Sequence, residues 1–561
     1  MQRIQYSGPF VRFRWICLCV LVTLPSSLSA QIASPDQTYS TPDANSASTI
    51  VPDVRVPDAA ALLDDGLRLE TEQRWLEAVT HYEDALRNYP DDANLKLHLT
   101  LAEIHVDLDR RLADASYQKL TLDLTNAQAM GMFNEIGWKL QSHYVEDPNW
   151  QRLTWRGTAN LDVALTKPLF VQRNLPGVSA ERITDFRNRL RTDVNKRIVR
   201  DRTEAQNLVN YSSRLAEQQL GLSPTAVVLE YCSGAVSALD EYSSYLTGAQ
   251  LDDVYSQIEG NFVGLGVELK ADSDELLIVN VIPGGPADVA GIKAGDRIVA
   301  VDNQATQVVT TDRAADMLKG EQGTTVLVSI KSDGKPVKHL TVRRDRVEVP
   351  SVEDIKLVDQ QYGTGYFRLT SFQKTTSRDV DAALWELHRQ GMKSLIMDLR
   401  GNPGGLLLAS VEVADKFLES GSIVSTNGRS PRENFDYKAH PTGTWSIPLI
   451  VLIDRDTASA SEIFAGAIRD HNRGTVLGER SYGKGSVQGI FPLNSGNAGV
   501  RLTTAKFYSP SGRPISKQGV LPTHAVQSVA RPISGVVTVD TDPVLRAAVG
   551  TARQLNLAHR Q

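Results

Sequence analysis

From Ser351 onward the chain alternates two patterns. Short apolar runs, YGTGYFRLTSF, KSLIMDLRG, PLIVLID and GTVLGE, read as buried strands. Between them lie longer stretches with helical spacing, DVDAALWELHRQG, LASVEVADKFLESG and SEIFAGAIRDHNRG. A run that is apolar at every position must be covered on both faces, and regular strand–helix alternation supplies that cover. The expectation is an α/β core over 346–530, followed by a C-terminal tail over 531–561.

The preceding region has a different period. From Asn261 the sequence breaks into short β runs with glycine-rich turns: GNFVGLGVEL, ELLIVNVI, GDRIVAVD, TTVLVSIK and HLTVRRD, with one amphipathic helix, DRAADMLKG. This strand–helix order over 250–345 looks like a PDZ domain. The likeness rests on Gly264-Leu265-Gly266-Val267 and on PADVAGIKAGDRIVAVD. Glycines there let successive backbone N–H groups face one hollow, which can hold a peptide carboxylate while the peptide adds as a strand.

Upstream the pattern is helical. Residues 127–249 carry mixed-charge faces such as ERITDFRNRLRTDVNKRIVRDRTEAQ, the sign of solvated helices. In 58–126, Gly66, Ala78, Tyr82, Ala85 and Pro90 fall at tetratricopeptide-like spacing, and a second helix pair follows that fits the spacing poorly. A generic helical hairpin explains the same residues. Either form suits contact with a protein partner or self-association.

The first residues differ again. Arg3, Arg12 and Arg14 precede WICLCVLVTL and then PSSLSAQ, the order of a secretory signal over 1–30. Cleavage after Ala30 leaves Leu28 at −3, where a small residue is usual. The apolar run is too short for a bilayer, which takes roughly 20 residues; an uncleaved anchor is the other reading. Residues 31–57, rich in Ser, Thr, Pro and Asp, read as a flexible linker. The expected location is periplasmic or cell-envelope, membrane-anchored if the signal stays.

With 561 residues, 41% hydrophobic and 22% charged, the chain has material for several cores. A net charge of −6 gives no basic stripe for nucleic acid. Of three cysteines, Cys17 and Cys19 lie in the signal, so Cys232 stands alone as a small buried hydrophobe. No disulfide framework and no cysteine metal site follows, and the ten histidines show no ligand spacing.

Three clusters carry chemistry. DLRGNPGGLL, Asp398–Leu407, sets bare backbone N–H groups in a turn after a strand. DRDTASASEIFAGAIRD puts Ser459 at a helix start. Ser459-x-x-Glu462 fits a capping box, yet a serine there is also placed for attack, with the helix N-terminus stabilising an oxyanion. The third is GERSYGKGSVQG. Gly478, Gly483 and Lys484 nearly complete a phosphate-binding loop, but Gly485 stands where Ser or Thr should hold magnesium, and SVQGIFPLN is β-like rather than helical. A lysine desolvated among small residues is instead a candidate base. No G-x-S-x-G or H-E-x-x-H occurs.

Taken together, DEYSSYL, GNFVGLGVEL, GIKAGDRI, DLRGNPGGLL, TASASEI, SYGKGSVQ and RLTTAKFYSPSGRPI run in one order from Ala238 to Val526. In that order the chain resembles the carboxyl-terminal processing proteases, secreted PDZ-bearing serine peptidases with a Ser–Lys dyad. The resemblance implies Ser459 as nucleophile, Lys484 as general base and Gln488 as its partner. It implies backbone N–H groups of Gly405 and Ala460 as the oxyanion hole, and Gly264, Leu265, Gly266 and Val267 as the peptide-carboxylate loop. Ser461 is the rival nucleophile, and Asp398 and Arg400 are turn-stabilising. No metal, cofactor, nucleotide or nucleic acid is called for; the expected partners are protein substrates with apolar C-terminal tails.

Two departures stand out. Thr457 replaces the first motif serine. The acidic residue expected after Pro522 is missing in GVLPTH. The expectation is therefore a multidomain serine endopeptidase, an α/β core with an inserted PDZ domain and a helical N-terminal region. The alternatives are a catalytically silent PDZ/repeat adaptor binding peptide C-termini, a small-ligand binder on the same core, and a phosphate-loop ATPase.

Overall fold

Strands that are apolar throughout need partners on both sides, and the central sheet supplies them. Its order is 352–359, 364–369, 394–398, 449–453, 475–478 and 524–525. The last five run parallel; the first is an antiparallel edge. The computed structural model describes residues 5–7, 58–272, 275–308, 311–527 and 538–558. The expected signal and linker lie outside these residues, apart from Gln5–Ser7.

Alternate side chains of each strand go to opposite faces. Leu395, Met397, Leu449, Val451, Ile453 and Val476 face a core closed by helices Thr376–Arg389, Leu407–Asp415 and Ala460–Asp470. Ile396, Ile450, Leu452 and Leu477 face the other way, against Val544, Leu545, Ala548, Val549 and Ala552 of helix Pro543–Ala558. The segment expected as a tail thus contains the helix that covers one face of the central sheet.

A second sheet, antiparallel, orders 405–406, 5–7, 486–492, 499–508, 422–428 and 435–438, with 244–246 also paired to 499–508. Its middle hairpin, 486–492 with 499–508, carries the residues after the lysine motif.

The PDZ region keeps its expected strands: 267–272, 275–281, 297–301, 325–331 and 338–343 form one sheet, around a core that includes Leu269, Ile278, Val301 and Val328. A two-stranded ribbon, 261–264 with 345–348, closes the inserted domain at its base.

Helices Asn126–His143 to Pro224–Ser237 form the helical part. Helix Pro224–Ser237 is buried almost throughout. It crosses helix Trp150–Ala164 at a glycine pair: a Cβ on Gly234 would lie 2.6 Å from the Gly157 Cα. Cys232 is buried and unbridged.

Residues 58–113 form a compact unit distinct from the one that holds residues 5–7 and Asp114 onward. In it, helices Ala59–Thr71 and Trp75–Asn88 meet where Tyr82 packs against Gly66, and the Tyr82 hydroxyl donates to Glu70 at 2.7 Å. The expected second helix pair is a long helix, Ala93–Ala113, followed by a short one, Ala115–Asp123, that falls in the other unit. The region is helical; a tetratricopeptide assignment does not follow from it. Among the described residues no helix is long and apolar enough to cross a membrane.

Candidate active site

Ser459 sits where strand Leu449–Ile453 turns into helix Ala460–Asp470. Its backbone has φ 58° and ψ −115°, a strained conformation for a residue with a side chain. Of the capping box only half is made. The Glu462 carboxylate accepts from the Ser459 N–H at 2.7 Å, but the Glu462 N–H bonds to the Ser459 carbonyl oxygen at 2.8 Å. The Ser459 Oγ is buried with no hydrogen-bond partner among the described residues. Strain plus an uncommitted hydroxyl is what a nucleophile requires and a cap does not.

Ser461 is committed elsewhere: its hydroxyl donates to the Asn402 carbonyl at 3.1 Å. Thr457 keeps the hydroxyl that its motif position needs, donating to the Leu399 carbonyl and accepting from the Asp454 N–H at 2.9 Å.

Lys484 is fully buried. Its Nζ lies 4.6 Å from the centre of the Tyr242 ring, which belongs to the DEYSSYL motif. Burial pushes its pKa well below the usual lysine value, and Arg501 adds to the effect. Asp240, Glu241 and Glu462 oppose it.

Glu462 joins the two loops. Besides the Ser459 N–H, its carboxylate accepts from the Ser481 hydroxyl at 2.6 Å, the Gly483 N–H at 2.7 Å and the Lys484 N–H at 2.9 Å. Ser459 and Lys484 therefore share one oxygen, Oε2, through their backbones. Burial pushes the Glu462 carboxyl up to about 7 while these four donors pull it down. The half-complete phosphate-loop pattern now has a physical reading. Its N–H groups do cradle an anion, but the anion is the chain's own carboxylate. A strand, Ser486–Pro492, follows instead of a helix.

Gln488 is buried in that strand. Its amide nitrogen donates to Ser486 Oγ at 2.9 Å and Thr503 Oγ1 at 3.4 Å, and its Oε1 has no partner among the described residues. It makes no hydrogen bond to Lys484 in this arrangement.

The DLRGNPGG turn packs on the serine. A Cβ on Gly404 would meet Ala460 N and Ser459 Cβ at 2.9 Å, so only glycine allows this approach. Gly405 has φ 142°, and a Cβ there would fall 2.0 Å from the Phe372 carbonyl oxygen. Ala460 is the first residue of its helix, whose leading N–H groups have no partner within the helix. Asn402 orders the turn. Its side chain donates to the Leu369 carbonyl at 2.7 Å and accepts from the Gly404 N–H at 2.8 Å, and its carbonyl accepts from Ala458 N–H at 3.1 Å. Strand Gln5–Ser7 runs antiparallel between Gly405-Leu406 and Gln488-Gly489, so this slot accommodates an extended backbone.

The remaining predicted residues lie in the PDZ domain. Gly264 closes the basal ribbon opposite Asp345, and Gly266 has φ 78°. The Leu265 carbonyl accepts from Ala287 N–H, and a small apolar hollow beside the loop is lined by Phe262, Leu265, Leu269, Ala315 and Leu318. The position of the missing acidic residue is Thr523, which bonds Val476 through both its N–H and its hydroxyl and so docks the last strand. Among the described residues no cluster of three metal-ligating side chains occurs.

Sequence reasoning missed Glu462 as a link between loops, Asn402 and Tyr242. Glu462 was visible as the acid of a capping box, and Tyr242 lay inside a quoted motif. Asn402 gave no signal beyond its place in the turn.

A strained serine at a helix start, a buried lysine of lowered pKa and a glycine turn beside them define a serine-type peptidase centre next to a PDZ domain. Residues 363–526 match the model of peptidase family S41, and residues 256–331 match that of the PDZ domain. The carboxy-terminal-processing protease of Bartonella bacilliformis is 38% identical over 303 residues, 53% of this chain and 68% of that protein. The carboxyl-terminal-processing proteases of Synechocystis sp. (37% over 269 residues, 47% of this chain and 62% of that protein) and Picosynechococcus sp. (35% over 293 residues, 51% and 70%) are similar. Among solved structures, a photosystem II D1 C-terminal processing protease aligns over 71% of this chain and 93% of its own, with a TM-score of 0.40 and 26% identity. The chain belongs to the carboxyl-terminal processing proteases of peptidase family S41.

Proposed function

We propose that the protein is an exported endopeptidase that grips apolar protein C-termini in its PDZ domain and cuts with Ser459 and Lys484. The observation that carries this reading is the pairing of an unbonded, strained Ser459 with a buried Lys484, both tied to Glu462.

Neutral Lys484 takes the Ser459 proton as Oγ bonds to the scissile carbonyl carbon. The oxyanion forms beside the Ala460 and Gly405 N–H groups. The tetrahedral adduct collapses, the C–N bond breaks, and the leaving amine receives the proton from Lys484. Water then attacks the ester, giving its proton to Lys484, and the acid leaves as Ser459 regains a proton. Gln488 supports the lysine strand through Ser486 and Thr503. The PDZ loop Gly264–Val267 takes the tail carboxylate, and the helical unit of residues 58–113 offers a surface for a protein partner. The signal-like order of residues 1–30 supports action in the cell envelope. A silent adaptor would have no use for this geometry.

The test is hydrolysis of an unstructured peptide with an apolar tail by the mature protein. Ser459→Ala and Lys484→Ala are each expected to cost at least about 10³-fold in kcat. Cleavage surviving Lys484→Ala, or none by the parent across several tails, would reject the reading.

A further inference from the structure

Among the described residues, the buried Arg400 guanidinium meets Asp542, a partner from outside the turn that carries it. Its Nε and one terminal nitrogen hold the Asp398 carboxylate at 2.9 and 2.7 Å, and that same nitrogen reaches Asp542 at 2.7 Å. Asp398 is fully occupied, also accepting from the Arg400 N–H at 3.0 Å and the Tyr366 hydroxyl at 2.9 Å. Asp542 is itself buried. Its other oxygen caps helix Pro543–Ala558, accepting from Val544 N–H at 2.9 Å and Leu545 N–H at 3.1 Å. A buried guanidinium keeps a fixed plane only while its charge and its donors are met.

What hangs on Arg400 is the catalytic turn. Leu399 on one side accepts from Thr457 of the serine loop, and Gly401 on the other donates to Asp454 at 2.9 Å. Asn402 and Gly404 then set the backbone against Ser459 and Ala460. We propose that Asp542 is a positioning residue for the reaction: from the C-terminal helix it fixes Arg400, and through Arg400 the turn that presents Gly404 and Gly405 to the serine. It touches neither substrate nor serine. The kinetic part of this inference rests on the dyad reading above; the ordering of the turn does not.

The test compares Asp542→Asn, which keeps the shape and the helix cap but removes the charge, with Arg553→Ala. Arg553 pairs with Asp359 at 2.6 Å toward the far end of the same helix, so it serves as a stability control. Amide hydrogen exchange of the Leu399–Leu407 segment, read by mass spectrometry, is expected to speed up in Asp542→Asn and not in Arg553→Ala. kcat is expected to fall about tenfold in Asp542→Asn with KM within about twofold, the mark of a displaced catalytic backbone rather than lost binding. Asp542→Asn exchange equal to the parent's would overturn the proposal whatever the activity. So would an equal fall in kcat in Arg553→Ala at matched loss of thermal stability.

Discussion

Lys484 is the residue through which pH acts. Folding lowers its pKa below the usual 10.5. Between the two values unfolding takes up a proton, so this group makes stability rise with pH. The fold therefore carries a neutral-pH penalty, which the proposed role of Lys484 as a base would explain. Lys484→Met is expected to raise the denaturation midpoint at pH 7 while removing activity. Glu462 runs the other way: its carboxyl, raised from 4.5 to about 7, favours the fold fully below 4.5, and the contribution is lost as pH rises through 7. For catalysis both titrations point one way. In the proposed dyad, deprotonation frees the lysine to act as base, and it makes Glu462 a full acceptor for its four donors. kcat/KM should therefore climb with pH on the acid side of its profile; a profile flat from pH 5 to 8 would contradict this assignment.

At the level of elements, the opening strand–helix alternation was legible because burial on both faces leaves an unbroken apolar run. The four strands and three helices that the sequence placed in the core form there, overlapping 364–369, 394–398, 449–453, 475–478, 376–389, 407–415 and 460–470. The candidate site stood out in the sequence where a motif singles out one side chain, as at Ser459 and Lys484. It was not legible where backbone groups from separate segments meet. Asn402 bonds Leu369, Gly404 and Ala458, contacts that no local pattern encodes. Gly485 is a similar case. The sequence showed only that it breaks the phosphate-loop pattern; the structure shows why. A Cβ there would lie 2.2 Å from the Ser516 backbone nitrogen. Gly485→Ser would complete the nucleotide motif on paper, yet it is expected to bind no ATP and to lose at least about tenfold in kcat by shifting the lysine loop. ATP binding by this variant in equilibrium dialysis would refute the account of the loop.

At the scale of the molecule, the PDZ domain and the peptidase core are different modules joined by a two-stranded ribbon at Asn261–Gly264 and Asp345–Glu348. If the PDZ loop takes a free carboxylate, amidating the substrate's C-terminus should raise KM about tenfold, the loss of one charge-assisted contact, with kcat changing less. Equal KM for acid and amide would place recognition elsewhere. The N-terminal unit stayed illegible beyond its helices, because one helical hairpin with Gly66 under Tyr82 suits many assemblies. The C-terminal helix was read as a tail: Val544, Leu545, Ala548, Val549 and Ala552 have helical spacing, but nothing nearby announces the sheet they cover. That placement also sets an order in time. Synthesis runs from the N-terminus, so Ile396, Ile450 and Leu452 stay bare on one face until Val544–Ala552 have emerged. Arg400 likewise waits for Asp542. The proposed serine–lysine centre therefore gets its Arg400 brace only once helix Pro543–Ala558 has docked on the sheet.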